Sequence, residues 1–152
     1  MIGSNVMSSI PEYMTAKHRE CDEFFSEAES AVAEQNWTLA LSKWQQFASE
    51  LTEHLAQEED VLFPQFEQAT GMTSGPTQVM RMEHQQMRAL VQDLDNALAA
   101  KAKDEYLGLS ETLMVMMQQH NMKEEMMLYP MMAQHLTDGE QLVEGFKSSQ
   151  VA

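Results

Sequence analysis

Apolar residues recur along most of the chain at spacings close to one turn of an α-helix, with polar residues between them. The clearest stretches run from 39 to 55 and from 109 to 127. Their apolar positions are Leu39, Trp44, Phe47, Leu51 and Leu55, then Leu109, Leu113, Met116, Met117 and Met127. No alternating run between hairpin turn residues predicts a strand. The pattern therefore predicts an all-α protein.

Residues that cap helices, and one segment rich in Gly, Pro and Thr, divide this pattern into four helices. The predicted N-caps are Ser8 or Ser9, Asn36 and Asp104. The segment TGMTSGPT (70–77) lies near the middle of the chain, and a third helix is predicted from about Thr77 to Lys101. Four helices with short connections favour an antiparallel up-down four-helix bundle. Residues 137–152 are predicted to form a short helix and a frayed tail.

The net charge argues against several classes of partner. The chain has 152 residues, enough for a single domain (1–152), and a formal net charge of −15 at pH 7. Such a surface repels phosphates and anionic lipids, so we expect no nucleic-acid or membrane partner. No signal peptide is predicted, and the single cysteine, Cys21, favours a reducing, cytoplasmic location. The oligomeric state is left open, and a monomer is compatible with the sequence.

One phrase occurs twice in the chain. HLAQEEDVLFP begins at His54 and HNMKEEMMLYP begins at His120, an offset of 66 residues. The same offset pairs Glu58 with Glu124, Glu59 with Glu125, Leu62 with Leu128, Phe63 with Tyr129, Pro64 with Pro130 and, upstream, His18 with His84. The chain is therefore interpreted as two copies of one helical hairpin. Repeat 1 spans about 9–69, repeat 2 about 76–135, and a short tail 136–152.

The spacing of the histidines predicts that they share one layer of the bundle. His18 and His54 lie 36 residues apart, as do His84 and His120. A single straight helix of that length would extend about 54 Å, but the midpoints, 36 and 102, fall at predicted helix boundaries. A chain that reverses at each midpoint returns all four imidazoles to one height. Glu58 and Glu124 follow His54 and His120 by four residues, so each lies on the same helix face one turn along.

Six such groups in a bundle interior point to a metal. A buried unpaired carboxylate costs several kcal/mol, and unsatisfied imidazoles add to that cost. Imidazole and carboxylate together suit Fe, Mn or Zn better than Cu(I) or Ca. The preferred arrangement is a dinuclear centre in which both carboxylates and an oxide or hydroxide bridge the two ions, each ion also binding two imidazoles. That leaves one open position per ion for a small molecule.

With these motifs the sequence resembles the hemerythrin-like family, the HHE cation-binding domains, over residues 18 to 130. The resemblance implies a four-helix bundle with a non-haem di-iron centre that binds O2 or NO or serves in iron handling. The metal ligands it implies are His18, His54, Glu58, His84, His120 and Glu124. The oxygen carriers have a second His beside the third-helix ligand, where this chain has Met80 and Arg88, and their last carboxylate is an Asp. The set here looks more like the di-iron domain of proteins that repair iron centres.

Two other classes of function stay open beside a binding protein. One is a di-iron enzyme that reduces NO or peroxide or repairs iron–sulfur centres. Ferritin-like di-iron oxidases, however, use Glu-x-x-His and more carboxylates, and no general acid or nucleophile motif is visible here. The other is a metal-free helical interaction module.

The remaining polar and sulfur-containing residues receive ordinary structural interpretations. Glu59 and Glu125 are expected to be solvated, and the alternative is that they orient the ligand imidazoles. Asp22 and Arg88 are expected to be exposed charges, and the alternative is an ion pair or a contact that supports a ligand; His135 is expected to lie on the surface. Cys21 and the methionines between Met114 and Met132 are expected to fill the core.

Overall fold

The computed structural model describes residues 8–151, and within that range every regular element is helical. The helices are α1 (Ile10–Ala33), α2 (Trp37–Gln57), α3 (Phe63–Thr70), α4 (Pro76–Ala99), α5 (Lys103–Lys123), α6 (Tyr129–His135) and α7 (Gly139–Val151). A π-helical turn joins α2 to α3 (Glu58–Leu62), and a second joins α5 to α6 (Glu124–Leu128). The prediction of an all-α protein is confirmed.

The predicted N-caps are right for the first two helices and wrong for the fourth. Ser9 caps α1: its hydroxyl accepts from the Glu12 amide at 3.2 Å, and its own amide donates to the Glu12 carboxylate at 3.0 Å. Asn36 caps α2 by accepting from the Leu39 amide. Asp104 does not cap α5, because the helix already begins at Lys103 and Ala102 takes the cap position without a side-chain bond.

The two turns between the long helices have the same backbone structure, as the repeat predicts. Gln35 and Lys101, which are equivalent at the offset of 66, both have positive φ, at 58° and 54°. In each turn the next residue donates its amide five residues back, Asn36 to Ala31 at 2.8 Å and Ala102 to Ala97 at 2.9 Å. Such a left-handed residue satisfies the last carbonyls of a helix and reverses the chain.

Two clusters of buried residues lie along the bundle. The hairpin-end cluster fills the space between the four long helices near the two turns, with Phe25, Trp44, Phe47, Leu94 and Tyr106 among its members. The opposite-end cluster joins α1 to the shorter helices, and it includes Ile10, Met14, Phe63, Phe66, Met80, Tyr129 and Met132. The helices are consistent with a four-helix bundle, and the up-down topology stays a prediction.

Three details of the apolar pattern are wrong. Leu39 and Met127 are 42% and 63% exposed, and Met122 and Met126 also face solvent, so only part of the Met-rich segment fills the core. On α5 and the following turn, the buried positions are Tyr106, Ser110, Leu113, Met117, His120, Glu124 and Leu128. The predicted short C-terminal helix is present as α7, but it continues through Val151 where a frayed tail is predicted, and it packs Val143 and Phe146 into the opposite-end cluster.

Within residues 8–151, no helix is both long enough and apolar enough to span a lipid bilayer.

Replacing Ser9 with Ala removes the reciprocal capping bonds of α1. We expect the free energy of unfolding, measured by urea denaturation of the metal-free protein, to fall by about 1 kcal/mol. Ser26→Ala, at an exposed interior position of the same helix, is the matched control and should be neutral or slightly stabilising because Ala is the better helix former. Equal losses in the two variants would contradict the capping role.

Candidate metal centre

Four buried histidines, one from each long helix, meet between the two clusters. His18 comes from α1, His54 from α2, His84 from α4 and His120 from α5. The Nε2 atoms of His18 and His54 are 3.1 Å apart, and the ring centroids of His84 and His120 are 4.9 Å apart. The structure thus brings the four predicted imidazoles into one layer, as the midpoint argument requires.

Glu58 and Glu124 lie between the two histidine pairs, and each directs one oxygen to each pair. Oε2 of Glu58 is 3.2 Å from His54 Nε2, and Oε1 is 3.0 Å from His84 Nε2. Oε1 of Glu124 is 3.1 Å from His18 Nε2, and Oε2 is 3.3 Å from His120 Nε2. Both carboxylates are fully buried. Each carboxylate therefore spans two neighbouring positions, one beside each histidine pair.

The six side chains form two donor groups that share the carboxylates. The first donor group is His18, His54, Glu58 Oε2 and Glu124 Oε1; the second is His84, His120, Glu58 Oε1 and Glu124 Oε2. In each group the four donor atoms lie within 4.8 Å of one another and could hold a metal ion. All four donors of the second group, on Glu58, His84, His120 and Glu124, are buried without a hydrogen bond. A cation satisfies such lone pairs, so the residues fit a metal.

Both bridging glutamates begin a π-helical turn. The amides of Phe63 and Tyr129 bond to the carbonyls of Glu58 and Glu124, five residues back. Prolines follow at 64 and 130; a proline has no amide hydrogen, and in a regular α-helix its ring clashes with the carbonyl four residues earlier. No π-helical turn is predicted here from the sequence, although the paired prolines are a signal of one. The wider turn places residues 63 and 129 over the glutamates.

Three of the four imidazoles are held from outside by a carboxylate on another helix or turn. The Nδ1–H of His18 donates to Glu125 at 2.7 Å, and that of His84 donates to Glu59 at 2.6 Å. The Nδ1–H of His120 donates to Glu83 at 2.7 Å. Because a carboxylate only accepts, each pair leaves Nε2 free to face the centre.

Two expectations about these outer residues are wrong. Glu59 and Glu125 are not simply solvated, because each orients an imidazole. Arg88 is not an isolated exposed charge, since its guanidinium donates to both oxygens of Glu59 at 2.8 and 2.9 Å. Lys123 holds Glu83 in a similar way. Glu59 and Glu125 are equivalent in the repeat, and this equivalence is a signal that both orient an imidazole. Glu83 has no acidic counterpart in the repeat.

The repeat is broken at His54. Its Nδ1 is buried without a hydrogen-bond partner. The position equivalent to Glu83 is Lys17, which pairs with Glu20 at 3.3 Å. A cation at that position cannot accept the imidazole N–H. The first donor group therefore has one unsupported histidine, and the second has none.

An aromatic residue follows each bridging glutamate, and only one of the two carries a hydroxyl. Tyr129 Oη is 3.0 Å from His18 Nε2 and 2.9 Å from Glu124 Oε1, and it also contacts Glu58 Oε2. Phe63, its repeat equivalent, stacks on His84 with centroids 5.6 Å apart. Burial and the charges of Glu124 and Glu58 raise the pKa of Tyr129 well above its usual value. Sequence reasoning missed Tyr129, although the Phe/Tyr difference inside the repeat marked it.

The other candidates lie outside the two donor groups. Cys21 is buried in the hairpin-end cluster, as expected, and burial raises the pKa of its thiol to about 12. It borders a small void of about 10 Å³ beside His18, His54 and His120, which Leu51, Met87 and Met117 close. His135 is exposed, as expected, and so is Asp22.

Comparison with protein families agrees with this geometry. A model of the hemerythrin HHE cation-binding domain matches residues 9–132, most of the chain. The chain belongs to this family. The matched range contains the four histidines and the two bridging glutamates of the hemerythrin domain. Searches of curated proteins and of solved structures gave no significant match.

The carboxylates and imidazoles of this hemerythrin domain shift one another's protonation. Burial alone would raise the pKa of Glu58, but His54 and His84 outweigh it and hold that pKa well below its usual range. Burial alone would lower the pKa of His120, but the adjacent carboxylate of Glu124, the charge of Glu58 and the hydrogen bond to Glu83 raise it to about 9. At neutral pH the metal-free domain therefore keeps a proton on His120.

A metal must displace that proton, because an imidazole binds metal only when its ring nitrogen is free. Adding Zn(II) to the metal-free hemerythrin domain at pH 7 should release protons, and the affinity should rise as pH increases towards 9. A pH-indicator titration in weak buffer measures both. His135→Gln, outside the centre, should behave like the parent protein. A metal affinity independent of pH between 7 and 9 would contradict this account.

Glu83→Ala should weaken metal binding by roughly 10–100-fold, because His120 loses the acceptor that fixes its ring. The measurement is competition for Zn(II) with a chromophoric chelator. Asp93→Ala is the control: it removes one negative charge from an exposed position on the same helix. If both variants lose affinity equally, the effect is only one of net charge and Glu83 does not orient the site.

Proposed function

We propose that this hemerythrin domain binds two non-haem iron ions, one at each donor group, and that it is a binding protein for a small ligand such as O2 or NO, or a protein that handles iron. His18, His54, Glu58, His84, His120 and Glu124 are the proposed ligands. The orientation of Glu58 and Glu124 supports the proposal. In each carboxylate, one oxygen faces the His18–His54 pair and the other faces the His84–His120 pair. Two carboxylates placed in this way suit two ions better than one.

The chemistry of the donors favours iron. Four imidazole nitrogens and four carboxylate oxygens form a mixed set that suits Fe, with Mn or Zn as substitutes. When bound, iron supplies open coordination positions and access to two oxidation states. The chain orients the imidazoles through Glu125, Glu59 and Glu83, and its two apolar clusters exclude bulk water. The four-His, two-Glu set also supports the likeness to the di-iron domain of iron-centre repair proteins.

The space next to the donors suits a very small ligand. The void beside His18, His54 and His120 is about 10 Å³ and is walled by Leu51, Leu55, Met87 and Met117. A cavity of that size has room for about one water molecule, so a larger ligand does not fit in it without rearrangement. A wider groove of about 560 Å³ borders His120 from outside, at Glu83 and Lys123. The thioether and aliphatic side chains of the lining suit an uncharged diatomic molecule, and Asp22 and Asn121 also border the void.

The same proposal includes an antiparallel up-down topology and a cytoplasmic location. The short turns at 34–36 and 100–102 join helices that pack against each other, which supports antiparallel neighbours. A single buried thiol, with no other cysteine in the sequence, suits a reducing compartment.

Purified protein reconstituted with Fe(II) should contain two irons per chain by elemental analysis, and it should melt at a higher temperature than the metal-free form because metal binding is coupled to folding. His54→Ala and Glu58→Ala should each lose iron and this stabilisation. His135→Ala is the matched control and should keep both. Equal melting temperatures with and without iron would contradict a metal centre.

Turnover assays separate a binding protein from an enzyme. The iron-loaded protein should form a stoichiometric complex with NO, seen in the visible spectrum, without consuming NO or peroxide beyond one equivalent per site. Sustained consumption of either would contradict the binding role and favour a di-iron oxidoreductase.

A further inference from the structure

The Tyr129 hydroxyl lies among the donors of the first group at the separations of a ligand. Its Oη is 3.0 Å from His18 Nε2, 3.4 Å from His54 Nε2 and 2.9 Å from Glu124 Oε1. The donors themselves are 3.1 Å apart for His18 and His54, and 3.2 Å apart for His54 and Glu58. Neighbouring ligands of an octahedral ion, with bonds of roughly 2.1 Å, stand about 3 Å apart.

Hydrogen bonding alone does not account for this position. A phenol has a single hydrogen to donate, and Tyr129 Oη is within reach of two carboxylate oxygens and two imidazole nitrogens. One contact receives that hydrogen and a protonated imidazole can donate to the phenol oxygen in another, so one of the two carboxylate oxygens faces Oη with no hydrogen between them. The remaining atoms crowd around an oxygen, which is the arrangement of several donors facing one cation.

The second half of the chain provides an internal comparison. Phe63 and Tyr129 occupy equivalent places after their π-helical turns, and their rings lie 5.6 Å from His84 and His18 respectively. Both are buried in the opposite-end cluster. The two places differ in one oxygen atom, so the second donor group has no equivalent of the phenol.

We propose that Tyr129 is a seventh protein ligand of the centre, bound through Oη to the ion held by the first donor group, and that the two ions are therefore inequivalent. The inference rests on the proposed di-iron function and deepens it. On binding Fe(III), the phenol exchanges its O–H bond for an O–Fe bond and releases the proton to solvent, with no change of oxidation state.

The proposed ligand also assigns different roles to the two sides of the histidine layer. Tyr129 reaches the first donor group from the opposite-end cluster, whereas the small void is bordered by residues of the hairpin-end cluster, among them Leu51, Met87 and Met117. Tyr129 would fill the open position of the ion at the first donor group, so a small ligand is left with the ion at the second group, whose His120 borders the void. Tyr129 thus makes the first donor group different from the second. His54 is a second difference, because it belongs to the same donor group and lacks an outer carboxylate.

The test is the visible absorption and resonance Raman spectrum of the diferric protein, with iron content measured on the same sample. The parent protein should show a phenolate-to-Fe(III) charge-transfer band, with tyrosine ring vibrations enhanced by excitation into it. Tyr129→Phe should keep two irons per chain and lose the band. Tyr13→Phe is the matched control: Tyr13 is a buried tyrosine of the same cluster whose hydroxyl meets Gln57 at 3.5 Å instead of the donors. It should keep the band.

Phe63→Tyr supplies a second measurement that does not depend on how Tyr129→Phe folds. It adds a hydroxyl at the equivalent place in the second donor group, and it should approximately double the intensity of the band. A parent protein with two irons and no such band, or a band that survives Tyr129→Phe, would overturn the assignment while leaving the di-iron proposal intact. A protein that binds no iron would overturn both.

Discussion

The structure depends on the burial of two carboxylates and four imidazoles in one layer, where their donor atoms converge. Glu58 and Glu124 are both fully buried. Unpaired, each would cost several kcal/mol. The histidines compensate part of that charge in the metal-free domain, as the raised pKa of His120 shows. The four donor atoms of the second group still lie close together without hydrogen bonds, so a cation completes the interior.

The surroundings of this layer preserve a duplication and also break it. Backbone turns, π-helical turns and the pairs His18–Glu125 and His84–Glu59 follow the offset of 66 residues. Lys17 in place of a second Glu83, and Tyr129 opposite Phe63, do not. Both differences affect the first donor group. Lys17 leaves His54 without an outer carboxylate, and Tyr129 contacts His18. A symmetric frame therefore holds two chemically different positions, which suits a centre that binds a small ligand in one orientation.

Periodicity and the repeat were sufficient to predict the helices and the six residues that converge. Helical spacing can be read from a short stretch of sequence. Once a turn is assigned to the midpoint between two histidines, the equal lengths of chain on either side place both histidines at the same level of the bundle. Other features depend on geometry that spacing does not encode. The π-helical turns add one residue to the helical register, which moves Tyr129 over Glu124 and leaves Met126 and Met127 in solvent. The hydrogen bond between Glu83 and His120 joins two helices, so no motif within one helix indicates it.

The proposed function depends on two metal ions, one at each donor group. Anomalous diffraction at the iron edge, from crystals of the iron-loaded protein, tests it most directly. The account predicts two peaks about 3.5–4 Å apart or closer, one flanked by His18 and His54 and the other by His84 and His120, with Glu58 and Glu124 across both. A single peak, or iron bound only at surface carboxylates, would contradict it.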